Sequence, residues 1–178
     1  MNKKLLAATV LGVAVMGLSR VASAANFASA SVQVTVSGNL SMSIVGSTYT
    51  TIASVAPGGS AISGAAIAVT NDSVGVIETF SLKSFDSDPW TLAAAPGTNQ
   101  FTLQALFNTA APVAADFVAA DALGLADKAA SATVFAGNQS GLSVAPGTTR
   151  NLWFRFQAPT STSSFGSRDL TVSITAGL

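Results

Sequence analysis

The chain contains no cysteine and no histidine. Without cysteine it can form no disulfide, offers no thiolate to a metal and carries no lipid-modified N-terminal cysteine. Without histidine it can build no Ser-His-Asp triad, no Cys-His dyad and no imidazole metal site. The common routes to an activated nucleophile are closed with them. Charge is scarce as well: 9% of residues are charged, against about 25% in an ordinary globular domain. The few lysines and arginines form no basic patch, which excludes nucleic acid and an anionic membrane surface as partners. One tyrosine and two tryptophans are too few for the aromatic girdles of an outer-membrane barrel.

Apolar residues fill the space that these absences leave. They make up 49% of the 178 residues, enough for one domain with a real core and too apolar for disorder. The polar surface therefore comes from Ser, Thr, Asn and Gln. Few charges on it need desolvating on association, so it is compatible with tight subunit contact.

The first 24 residues are predicted to be a secretory signal peptide. Lys3 and Lys4 precede an apolar or small run from Leu5 to Leu18, and Ala22-Ser23-Ala24 is a small-residue cleavage site. The run is shorter than the ~20 residues of a membrane span, so a retained anchor is the weaker reading. The cut is placed after Ala24, with Ala25 as the alternative. Cleavage removes Lys3, Lys4 and Arg20, leaving five basic against eight acidic residues and a net charge of −3. Residues 25–178 are expected to form a single exported domain, extracellular, cell-surface or periplasmic, with no membrane contact after cleavage.

Strand patterns fill that domain. Val32, Val34 and Val36 alternate with Gln33 and Thr35, a half-buried strand. The same parity resumes after Gly38-Asn39 at Leu40, Met42 and Ile44. Gly-Asn could close a hairpin or bend one long strand, and the unbroken parity favours the bend. Weaker strands follow at Tyr49–Val55 and Ala61–Thr70, the latter with Ile67 and Val69 as core residues. Val74–Ser84 places Phe80 and Leu82 on one face. Trp90–Leu92 is short. Gln100–Phe107 alternates through Phe101, Leu103, Ala105 and Phe107, while Leu106 breaks parity and points to a second contact surface. The alanine-rich stretch 108–140 is the least regular. A short helix or extended crossover is expected over 116–125 and a strand near 132–135.

The most aromatic strand lies in Ser143–Pro159. Its opening Ser143-Val144-Ala145-Pro146-Gly147 repeats Ser54-Val55-Ala56-Pro57-Gly58. Pro followed by Gly predicts a type II turn leading into a strand in both copies. Leu152, Phe154 and Phe156 are assigned to the core, where truncating either Phe to Ala costs ~3–5 kcal/mol. Trp153, Arg155 and Gln157 take the other face. Leu170, Val172 and Ile174 alternate in the last strand.

Many short strands separated by turn signals predict an all-β fold, an antiparallel immunoglobulin-like sandwich of about 7–10 strands. The signal peptide, the alternating first strand, the Pro-Gly turns and the alternating last strand resemble secreted bacterial immunoglobulin-like sandwiches. Among these the layout is similar to matrix-fibre and pilus-type subunits of the TasA/camelysin or donor-strand kind. The resemblance spans most of residues 25–178 and rests on layout. It implies a self-assembling extracellular subunit. Trp90-Thr91-Leu92 also matches the WxL tripeptide of bacterial wall-binding domains, whose second Trp motif is not evident here. No binding residue is carried over from either family.

Three functions compete. In a structural subunit, Val32, Val34 and Val36 form a strand-donation face toward copies of the chain or other surface proteins. The plainer alternative is that this strand pairs inside its own sandwich. In a polysaccharide- or wall-binding module, Trp90 and Trp153 would stack on sugar beside Arg155 and Gln157. The alternative is that each Trp belongs to the core or seals a sandwich end. In an enzyme, Asp86 and Asp88, or the dispersed Asp116, Asp121 and Asp127, would act as paired carboxylates. Asp86 and Asp88 are also the Ca²⁺ candidates. Solvated loop acids are the commoner outcome. The expected protein is a non-enzymatic one without cofactor. The sequons at Asn39, Asn71 and Asn138 are permissive only.

Overall fold

A computed structural model of the chain describes residues 30–36 and 40–178. The expected signal peptide and the Gly38-Asn39 break lie outside the described residues, as do the side chains of Val34 and Val36. The fold is all-β, with two packed sheets. One sheet has the order β3-β1-β11-β6-β9, from Tyr49–Thr51, Ala30–Val36, Arg168–Gly177, Thr79–Ser84 and Lys128–Ala129. The other has the order β2-β5-β10-β8-β7, from Met42–Val45, Ile67–Asn71, Thr149–Gln157, Gln100–Phe107 and Thr91–Leu92. β4 (Ser60–Ile62) joins β10 beyond the end of β5.

The alternating sequences explain the packing. Phe80, Leu82, Phe101, Leu103, Phe107, Leu152, Phe154, Phe156, Leu170, Val172 and Ile174 all meet in one buried cluster between the sheets. Val32, Ile67 and Val69 complete it. Phe101 and Phe156 have ring centroids 6.0 Å apart, and Trp90 lies on Phe156 at 6.1 Å. Such pairs add about 0.5–1.5 kcal/mol each beyond the area they bury.

Connectivity departs from a simple antiparallel sandwich. β1 pairs in parallel with β11, Val32 opposite Leu170, and antiparallel with β3. β7 is parallel to β8. The penultimate and last strands, β10 and β11, lie in different sheets, whereas an immunoglobulin domain keeps them side by side. The chain changes sheet at nearly every connection, wrapping the core as a jelly roll does. β1 and β2 follow this rule. They belong to opposite sheets and do not form a hairpin with each other.

The long strands are central and the edges are short: four residues in β2, three in β3, two each in β7 and β9. Short edges limit uncontrolled pairing with other chains. The two identical pentapeptides do the same work twice. Gly58 and Gly147 have φ of +73° and +69°, as the third residue of a type II turn requires. Gly58 N–H donates to Pro159 O at 2.8 Å, and Gly147 N–H to Asn71 O at 2.7 Å. The turns thus close opposite ends of the β4/β5–β10 pairing.

The alanine-rich stretch resolves into two single 3₁₀ turns, Ala114–Asp116 and Ala119–Asp121, inside an extended crossover. The strand expected near 132–135 is absent. Phe135 turns back with φ +57° and is buried, and the short pairing falls at Lys128–Ala129 instead. A buried aromatic in a left-handed conformation reads as strand in a pattern of side chains alone.

Candidate functional site

The outward face of β10 was the first candidate, and the crossover covers it. Trp153 is 9% exposed and packs with Leu106 and Phe117 in a second apolar cluster outside the main core. Its indole N–H donates to Asn108 O at 2.9 Å. Leu106 therefore breaks parity because it faces Phe117 of the crossover. Gln104 binds the same cover by donating to Val118 O at 2.7 Å. Gln157 and Arg155 both donate to Gln104 Oε1, at 2.8 and 3.3 Å. Arg155 also reaches Ser60 Oγ and Ala114 O. Trp153, Arg155 and Gln157 are thus brought together, but as the floor under a loop. The indole offers no open face to a sugar ring.

Trp90 is fully buried. Its N–H donates to Thr162 Oγ1 at 3.0 Å, and the Arg168 guanidinium sits 5.4 Å from its ring centre. It seals one end of the sandwich. Nothing places it beside Trp153, since one faces the main core and the other the crossover.

The acids hold loops in shape. Asp86 Oδ1 accepts from Leu92 N–H at 2.7 Å. The main-chain carbonyl of Asp88, not its carboxylate, accepts from Arg168. Asp116 accepts from Val113 N–H, and Asp127 pairs with Lys83 at 3.0 Å. Asp121 is buried and accepts from Phe135 N–H at 2.7 Å and Val118 N–H at 2.9 Å. Burial raises its pKa, against the pull of those two amides and of Lys128. Lys128 donates to Ala120 O and Ala122 O. Together these groups clasp the crossover. Among the described residues no three Asp, Glu, His or Cys side chains gather as a metal cluster. The sequon residue Asn71 is buried, its amide donating to Val76 O and Val144 O.

Val32, Val34 and Val36, the residues expected to form a strand-donation face, belong to β1. That strand pairs with β11 from Ala30 to Val36 and with β3 from Ser31 to Gln33, and Val32 is buried there.

Two features stand apart from these candidates. At the end of the sandwich where β6 begins, four apolar side chains on the loop before it and on the segments bonded to it are exposed. They are Val74 at 96%, Ile77 at 58%, Leu142 at 41% and Leu178 at 92% exposure. Leu178 follows Gly177, the partner of Thr79, and Gly141 O accepts from Phe80 N–H. Inside this cap sits Glu78, with 0% exposure and neither carboxylate oxygen hydrogen-bonded. Burial raises its pKa first, the charge of Asp72 second, with the Ser41 backbone amide opposing. The sequence signal was present: Glu78 shares the inward parity of Phe80 and Leu82. Where β6 ends, a groove of about 510 Å³ opens between the two sheet edges. Leu92, Leu123, Leu125 and five alanines line it together with Gly124, Asp127 and Lys128, and Gly124 O accepts from Ser84 N–H.

No protein-family model matches the chain, and no curated protein matches it.

Proposed function

We propose that the protein is an exported, non-enzymatic structural subunit that associates with copies of itself outside the cell. The observation that supports this reading most is the pairing of an apolar cap with a mainly apolar groove at opposite ends of β6. A protruding cap and a recessed groove on one molecule make a head-to-tail contact, which propagates as an open chain where a self-matched patch would stop at a dimer. The charges at that contact, Asp127 and Lys128 of the groove, are already engaged with Lys83 and with the Ala120 and Ala122 carbonyls, which limits what must be desolvated. The short edge strands disfavour side-by-side sheet growth, which leaves the ends.

Sedimentation of the protein beginning at Ala25 tests this. The wild type forms oligomers that lengthen with concentration, and Ile77→Asp and Leu125→Asp each abolish them. An equimolar mixture of the two variants forms a dimer, since one intact cap meets one intact groove. A wild type that stays monomeric at millimolar concentration overturns the reading.

Strand donation by β1 is the narrower assembly mode. It requires β1 to leave its place between β3 and β11, so truncation to Ser37 would remove a central strand and test folding before association. The polysaccharide- or wall-binding alternative needs a surface other than Trp90 and Trp153.

A further inference from the structure

The carboxylate of Glu78 is the least explained group in the described residues. It is fully buried, neither oxygen makes a hydrogen bond of ordinary geometry, and the Ser41 backbone amide is the one group that eases its charge. An ionised carboxylate left so costs several kcal/mol unless a counter-charge or a proton meets it. The five basic side chains of the described residues are engaged elsewhere. Lys83 pairs with Asp127, and Lys128 donates to Ala120 O and Ala122 O. Arg150 donates to Ser140 O, Arg155 to Gln104, and Arg168 to Asp88 O. The Asp72 loop reaches the same place, its N–H donating to the carbonyl of Ser41, whose amide acts on Glu78, and the exposed Asp72 carboxylate adds repulsion. A second negative charge beside a buried, unpartnered one worsens the imbalance and is what a cation would relieve.

The cation must come from outside the chain. With no cysteine or histidine present, the ligands are oxygens only, which suits a hard divalent ion rather than zinc or copper. Ca²⁺ accepts irregular sets of carboxylate, carbonyl and water oxygens, while Mg²⁺ demands a near-ideal octahedron. Two carboxylates, one of them exposed, and a tight loop of main chain fit the first description. The loop is already folded around its own polar groups. Asn71 Oδ1 accepts from Ser73 N–H at 2.9 Å, and Ser73 Oγ donates to Val76 O at 2.7 Å.

We infer that Glu78 and Asp72 hold a calcium ion at the start of β6, completed by main-chain carbonyls and water. This site differs from Asp86 and Asp88, whose loop lies beyond the other end of β6, and it stands whether or not the subunits assemble. Two carboxylates imply an affinity in the weak extracellular range, ~10⁻⁴–10⁻³ M.

The test uses the mature protein from Ala25, stripped with EDTA and kept dilute at pH 7.5. Calorimetric titration with CaCl₂ is expected to show one site per chain. The melting temperature is expected to rise by roughly 3–11 °C at about 10 mM Ca²⁺, and by less with Mg²⁺. Glu78→Gln should melt no lower than calcium-free wild type and ignore calcium, while Asp72→Asn should weaken binding at least ~10-fold. No heat and no shift with Ca²⁺ overturn the inference; so does a full calcium shift retained in Glu78→Gln. A Glu78→Gln variant that is stabilised while wild type ignores calcium assigns the buried group a proton instead, and overturns it as well.

Discussion

Replacing Trp153 with alanine separates a strut from a binding platform. The indole is 9% exposed, packed on Leu106 and Phe117, and its N–H is given to Asn108 O. An aromatic of this size buries about 150–250 Å², worth roughly 4–6 kcal/mol at ~25 cal/mol per Å². That is an upper estimate, because an unfolded chain already hides part of the surface. The crossover above Trp153 can also settle into the space, so measured core truncations, about 3–5 kcal/mol, are the better guide. The orphaned Asn108 carbonyl adds little if water reaches it and about 1–3 kcal/mol if not. Trp153→Ala is therefore expected to lose about 3–5 kcal/mol, or roughly 6–20 °C in melting temperature for a chain of this length. Trp153→Phe should recover most of the packing and none of the hydrogen bond. Urea unfolding at constant m-value reads the difference as a shifted midpoint. If Trp153→Ala changed stability by less than ~0.5 kcal/mol and abolished polysaccharide binding, the strut argument would be refuted.

The two Pro-Gly turns provide an internal control. Gly58→Ala and Gly147→Ala each force a side chain to positive φ with no neighbour within 4 Å, so each should cost about 1–2 kcal/mol and match the other; a several-fold difference in urea midpoints would show that the turns are not equivalent. Asp121→Ala strands the amides of Phe135 and Val118, and a loss of about 1–3 kcal/mol per buried orphan is expected; hydrogen exchange confined to 114–136 would be its signature, and unchanged exchange there would count against the clasp. For Glu78 the folded pKa is raised above 4.5, so the folded state binds the proton more tightly. In EDTA, stability should rise as pH falls through the folded pKa and level off below 4.5. Asp121, also raised, slopes the same way, so the wild-type minus Glu78→Gln difference isolates Glu78; a difference that is flat with pH would contradict its burial.

Much of the fold was legible because its strands carry clean period-two alternation. The inward sets on β6, β8, β10 and β11 are the residues that parity selects, and Gln100–Phe107 has the expected bounds. Parity says which side chains share a face. It does not say whether a face that looks outward is later covered. Trp153, Arg155 and Gln157 share a face as expected, yet the 108–122 crossover lies over them, and alanine-rich extended chain carries no periodic signal of such a role. Only Leu106, out of step in its strand, hinted at it. Strand partners were equally silent. The parallel pairing of β1 with β11 joins the two ends of the domain, and nothing local to either strand encodes it. Glu78 escaped notice because charged residues are usually taken as exposed, although its parity pointed inward.

Electron microscopy of the purified mature protein at rising concentration tests head-to-tail assembly most directly. Wild-type protein is expected to form filaments one subunit wide, lost in both Ile77→Asp and Leu125→Asp. Discrete particles of a single subunit at every concentration, from protein shown to be folded, would contradict the account.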